Sequence, residues 1–183
     1  ILKHSLILKN SFFNWLNKYS SQILINRNSD FLKQAIIKSC KIKIHFVNKD
    51  THEKNIRMIL NFGHTFAHAI ELQNNYSNRI NHGEAVIMGM MIAVKLSCLK
   101  KICNVNTLLK LKKIYKINNL KHDVKKFFKK NEYKKIIEHM SNDKKNNDER
   151  INLILLKKIG QTTLPNSYKI TSQELKKVFD KII

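Results

Sequence analysis

The sequence predicts a mainly α, multi-helical domain with a small late β-hairpin, and three observations carry that expectation. The 183 residues include one Pro and only four Gly, a composition that suits long helices better than a turn-rich β fold. A hydrophobic content of 43% is enough to bury the core of one domain of this length. Apolar residues recur every three to four positions over most of the chain, and a β-prone run occurs only at Ile151–Leu156.

The elements follow from that periodicity. ILKHSLILKNSFFNWLNKYS reads as a helix end, a polar break at Lys9–Ser11, and an amphipathic helix carrying Phe12, Phe13, Trp15 and Leu16. Asp30 is expected to cap a long helix reaching about Val47, with Phe31, Leu32, Ala35, Ile36, Cys40 and Ile44 on its buried stripe. Lys49–Lys54 is polar and reads as a loop. Ile56–Leu72 is expected to be helical with a step at Asn61–Gly63, and the Asn-rich Gln73–Asn81 to be a loop. His82 to about Lys101 predicts an apolar helix in which Gly83 and Gly89 admit a close neighbour. Asn106–Ile117, His122–Lys130 and Glu132–Met140 follow as helices, then the polar loop SNDKKNNDER. Ile151–Leu156 is expected to pair with Thr162–Leu164 across a Gly160–Gln161 turn. Thr171–Ser172–Gln173–Glu174 is a capping-box start for a last helix. The whole chain, 1–183, reads as one domain.

The formal charge of +22 raises a nucleic-acid reading, which the residue types argue against. Only four of the 35 basic residues are arginine (Arg27, Arg57, Arg79, Arg150), and arginine is the side chain that forks onto phosphates and guanine edges. The lysines come largely as doublets and read as solvated helix faces; no nucleic-acid partner is expected. Trp15 and the Phe pairs are expected in the core. Cys40, Cys98 and Cys103 lack CxxC spacing, which fits a reducing, cytoplasmic setting. The longest apolar run, Ala85–Val94, is shorter than the ~20 residues a membrane span needs, so no membrane partner is expected.

Residues 57–90 concentrate the chemistry. His64 and His68 stand at i and i+4, on one helix face, and His82 opens the next apolar run. Two histidines with a carboxylate are a recurring metal-binding set, and Glu71 or Glu84 is the local candidate for the third ligand. Glu71 also reads as a local pairing residue, and Glu84 as support for the first turn of its helix. The remaining histidines (4, 45, 52, 122, 139) are expected at the surface.

LNFGHTFAHAIE followed by HGEAVIMGM closely resembles the paired signature of the 3-dehydroquinate synthases. ILKHSLILKNSFFNWL, KIKIHFVNKDTHEKNIR and DKKNNDERINLILLKKIGQ resemble further segments of that family, in the same order. The resemblance implies a C-terminal helical domain that supplies most of a metal and substrate site. It also implies a partner α/β domain that binds NAD and is absent from this chain, where no GxGxxG loop occurs. The implied reaction belongs to the shikimate pathway of aromatic amino acid (chorismate) biosynthesis. A lyase converts 3-deoxy-arabino-heptulosonate 7-phosphate, a sugar acid phosphate, into 3-dehydroquinate and phosphate, and the full-length enzyme is commonly a homodimer.

Residue by residue, the resemblance makes His64 and His82 ligands of Zn2+ (or Co2+) and His68 a substrate-pocket histidine. Lys3, Lys43, Arg57 and Asn61 match substrate-contacting positions, as does Lys144 or Lys145. The family's third metal ligand, a glutamate, would stand immediately before Ile1, so residues 1–183 alone are expected to be inactive. Ala67 stands where the family commonly has Gly, and Thr51, Lys54 and Asn55 also depart from its pattern. Another sugar-phosphate cyclase, or a non-catalytic basic remnant that binds polyanions, is the alternative.

Overall fold

A computed structural model of the chain describes residues 1–141 and 150–183. Among these described residues eight α-helices run in order: α1 (Leu2–Ile7), α2 (Asn10–Leu24), α3 (Ser29–Lys49), α4 (His64–Gln73), α5 (His82–Leu99), α6 (Val105–Ile117), α7 (Tyr133–Ser141) and α8 (Ser172–Ile182). Short 3-10 turns cover Ile56–Asn61, Val124–Lys126 and Lys130–Glu132. The strands are β1 (Arg150–Asn152), β2 (Leu156–Lys158), β3 (Gln161–Thr162) and β4 (Lys169–Thr171). The mainly α expectation with a late hairpin holds.

The core is organised around α5. Its 18 residues have a mean hydropathy of 1.4, long and apolar enough by composition to cross a bilayer. Here, however, they pack against α4, α6, α8 and β2, with Met88, Met90, Met91, Ile92 and Leu96 fully buried. Asn81 caps α5 by accepting from the Glu84 amide while Glu84 accepts from the Asn81 amide, which satisfies two end-of-helix donors at once. Glu84 therefore does support its helix start, and its carboxylate also meets Lys121 at 2.8 Å.

α4 lies antiparallel on α5, because Gly63, at its start, touches Met90 while Glu71, near its end, reaches His82. The contact depends on glycine. A Cβ on Gly89 would fall 2.1 Å from the Gly63 carbonyl oxygen, and Gly63 holds φ at 80°, in the left-handed region. Gly83 has no such neighbour, since its nearest contact is Asn81 at an ordinary 3.4 Å; the expectation of a close approach is right for Gly89 and wrong for Gly83.

Four other expectations change. Asn28, and not Asp30, caps α3, accepting from the Asp30 and Phe31 amides. Its buried stripe is Ala35, Ser39, Ile42 and Phe46, while Leu32, Ile36 and Ile44 are exposed; the apolar residues on this helix cover nearly its whole circumference, so counting them cannot orient it. His122–Lys130 forms no α-helix and contains only a 3-10 turn. There the Phe127 and Phe128 amides both return to Val124, and the turn buries Phe128 without a full helix. The β-prone run splits: Arg150–Asn152 pairs antiparallel with Lys169–Thr171, and only Leu156–Lys158 pairs with Gln161–Thr162 around the Gly160 turn. Thr171 and Glu174 form the expected capping box of α8.

The hairpin turn is also a brace. The Gly160 amide donates to the Leu6 carbonyl at 2.7 Å, docking β2–β3 on the junction of α1 and α2. Ser97 joins the same region to α5, donating to Ala93 and accepting from the Leu156 amide at 3.1 Å. Together these bonds hold α1 against the rest of the domain.

Candidate metal and substrate site

His64 is the first residue of α4 and His82 the first of α5. Antiparallel packing over the Gly63–Gly89 contact sets α4 so that His64, His68 and Glu71, at i, i+4 and i+7, face the start of α5. The His64 and His82 rings come to 5.6 Å between centres, His64 and His68 also to 5.6 Å, and His68 and His82 to 6.5 Å. Glu71 lies 2.9 Å from His82 Nδ1, which leaves Nε2 facing away from the carboxylate. A carboxylate behind a histidine is the usual way a ligand ring is held at a fixed angle.

Two imidazoles at 5.6 Å are within reach of one ion, since each ligating nitrogen would lie ~2 Å from it. The donor set thus fits a zinc-like metal through His64 and His82. Among the described residues, however, no three His, Cys, Asp or Glu side chains are arranged to hold a metal. Glu71 and Glu84 are both committed elsewhere, to His82 and to the α5 cap.

The pair opens onto a cleft of about 500 Å³ whose lining includes Lys3, Lys43, Arg57, Asn61, His64 and His82. Six of the expected site residues, from five elements, are therefore brought together. Lys3 Nζ sits 3.4 Å from His64 Nε2. Arg57 donates to the Thr51 carbonyl at 2.7 Å and stands 3.7 Å from Glu53. Asn61 Nδ2 donates to Glu53 at 2.8 Å. His68 does not line this cleft; it is exposed beside the His64–His82 pair. Lys144 and Lys145 lie outside the described residues.

Burial first, and crowding of positive charge second, set the protonation of the cleft. Burial, the nearby Lys43 ammonium and, in opposition, Glu53 bring the Lys3 amine down to about 8, so it remains mostly cationic at neutral pH. Burial, followed by the Lys3 charge, lowers His64 to about 4. A neutral imidazole is the form that binds a metal.

Two residues of the cleft escaped the sequence reading. Glu53 holds both Asn61 and Arg57; its one sequence signal is an acid four residues before Arg57 in an acid-poor chain. His4, expected at the surface, is partly buried in the cleft wall with Nδ1 2.6 Å from Ser39 Oγ. Burial, helped by the nearby Lys3 and Lys43 charges, lowers it to about 4. No local signal reveals this, because the two partners are 35 positions apart.

These two histidines predict a pH dependence. Each has a folded pKa below its ordinary value of 6.5, so between 6.5 and about 4 the unfolded chain binds more protons and stability falls with falling pH. The contributions of the carboxylates lowered by their partners, Asp50, Glu84 and Glu174, are lost only as pH falls below the ordinary carboxylate range of 3.8 to 4.5. Thermal melts of the metal-free chain should drop across pH 6.5 to 4, and His4→Gln should flatten that drop. A pH-independent melting temperature over this window would contradict the burial of His4 and His64.

The 3-dehydroquinate synthase C-terminal family matches residues 1–146. A 3-dehydroquinate synthase of Pelagibacter ubique (strain HTCC1062) is 48% identical over 87% of this chain and 43% of its own length. That of Dictyoglomus thermophilum is 35% identical over 90% of this chain and 44% of its own. The chain thus spans less than half the length of these relatives. In structure it resembles a 2-epi-5-epi-valiolone synthase from Streptomyces hygroscopicus subsp. jinggangensis, solved with NAD+ and Zn2+ bound, at a TM-score of 0.80 and 17% identity, covering 99% of this chain and 48% of the other. A 2-deoxy-scyllo-inosose synthase complexed with carbaglucose-6-phosphate, NAD+ and Co2+ gives a TM-score of 0.75 at 23% identity, over 100% and 49%. These two share the fold. With the match over residues 1–146, the chain belongs to the 3-dehydroquinate synthase C-terminal family.

Proposed function

We propose that residues 1–183 are the metal- and substrate-binding part of a 3-dehydroquinate synthase, acting on 3-deoxy-arabino-heptulosonate 7-phosphate with NAD and Zn2+ or Co2+. The observation that carries this reading is the convergence of His64 and His82 with Lys3, Lys43 and Arg57 in one cleft. A metal held by His64 and His82 would act as a Lewis acid on a substrate hydroxyl. Lys3, Lys43 and Arg57 supply the cations that a carboxylated sugar phosphate needs, and Arg57 can fork onto a carboxylate. Asn61, fixed by Glu53, offers its amide to a hydroxyl. His68 is proposed to meet substrate from the open side of the pair. Lys144 or Lys145 is proposed to contact the substrate, and the whole enzyme is proposed to be a cytoplasmic homodimer.

The described residues hold only two-stranded antiparallel pairs and no parallel sheet whose crevice could seat a dinucleotide. Residues 1–183 alone are therefore proposed to bind substrate without turning it over. By calorimetry, the zinc-loaded chain should bind the heptulosonate phosphate, and Arg57→Ala should weaken that binding roughly tenfold, the scale of one charge-assisted contact. A sugar phosphate lacking the carboxylate should bind the unaltered chain correspondingly less well. Phosphate release by these residues with NAD added, or equal affinity for the two sugars, would contradict the proposal.

A further inference from the structure

Lys43 faces the cleft from one side of the buried α3 stripe, and Lys38, Lys41 and His45 lie on the other side of it. There α2 and α3 enclose a second groove of about 720 Å³. Its floor is Phe12 and Ile42, both buried, with the half-buried Trp15. Lys9, Lys38, Lys41 and His45 stand around it, and among the described residues no acidic side chain contributes to the lining. Among the described residues, none of these three lysines forms a salt bridge. Lys38 Nζ hangs 5.5 Å from the centre of the Trp15 ring, an exposed cation–π contact weak enough to yield to a stronger partner.

This arrangement differs from the lysine doublets elsewhere. Doublets such as Lys176–Lys177 point to solvent from one helix face, whereas here lysines from two separate elements converge over an aromatic surface. Cations clustered in a concavity attract anions, and an aromatic face beside them accepts a flat ring. We infer that the α2–α3 groove binds an organic anion of the nucleotide class, its ring against Trp15 and its phosphates among Lys9, Lys38 and Lys41. The groove lies on a different flank of α3 from the cleft, and the inference does not depend on the proposed reaction.

Trp15 is the single tryptophan of the chain, so its fluorescence reads the groove directly. Titration with ATP at near-physiological salt should give saturable quenching. Adenosine should quench negligibly over the same range, and pyrophosphate should compete at least about tenfold more weakly than ATP. Lys38→Ala combined with Lys41→Ala should weaken ATP binding about tenfold or more, while Lys176→Ala with Lys177→Ala on α8 should leave it unchanged. Circular dichroism would verify that each variant is folded. No saturable quenching, or equal quenching in the Lys38/Lys41 variant, would overturn the inference. Equal binding of pyrophosphate would remove the ring contact, and loss in the α8 variant would show charge attraction without a site.

Discussion

Gly89→Ala is expected to destabilise the chain by about 3 kcal/mol or more, at the upper end of what overpacking a core costs. The added methyl would lie 2.1 Å from the Gly63 carbonyl oxygen and 3.0 Å from the Ala67 amide. Both obstacles are backbone, so neither can rotate away. Relief requires α4 to move off α5, and that displacement would also part His64 from His82. For a chain of this length the melting temperature should fall by roughly 6–12 °C, and zinc affinity should fall with it. Gly83→Ala, whose added methyl would meet only the Asn81 side chain at an ordinary 3.4 Å, is the matched control and should melt close to the unaltered chain. Equal melting of the two variants would show that the α4–α5 contact is looser than the distances imply.

Glu71→Gln is expected to lower zinc affinity by about 10- to 100-fold, the usual cost of removing the carboxylate behind a metal-binding histidine. Glu71 is mostly buried, while His82 is 60% exposed on its side chain, so the carboxylate is the rigid member of the pair and the ring the mobile one. Without that carboxylate the His82 ring loses the hydrogen bond at Nδ1 that fixes its orientation. The folded state should change little, because His82 contributes no buried apolar surface. Competition with a chromophoric zinc chelator measures the effect. Unchanged affinity would mean that Glu71 is only a local partner of a free histidine.

The fold was legible where sequence signals are local. The Thr171–Glu174 capping box, the Gly63 step and the Asn-rich loop before His82 each lie within a few residues and fold as read. The face of α3 was not, because Leu32, Ile36 and Ile44 are as apolar as the residues that are buried, and only the positions of α1 and α2 decide which side turns inward. The partner of Arg150–Asn152 was missed for a similar reason: Lys169–Thr171 lies beyond the nearer, equally plausible strand.

The site divides in the same way. The resemblance named Lys3, Lys43, Arg57, Asn61, His64 and His82, and these line one cleft. His64 and His68 share a helix face by spacing alone, yet spacing cannot say that His82 reaches them from another helix, nor that Glu71 turns from candidate ligand to support for His82. His4 acts through Ser39, a partner brought in by the tertiary fold, whereas Glu53 acts through Arg57 and Asn61, four and eight residues on, and only its spacing to Arg57 signals it.

X-ray absorption at the zinc edge of the loaded chain tests the central claim most directly, because it counts imidazole ligands without requiring turnover. The account predicts two imidazoles on the metal, one in His64→Ala, one in His82→Ala, and two still in His68→Ala. Retention of both imidazoles in either ligand variant, or loss of one in His68→Ala, would contradict it.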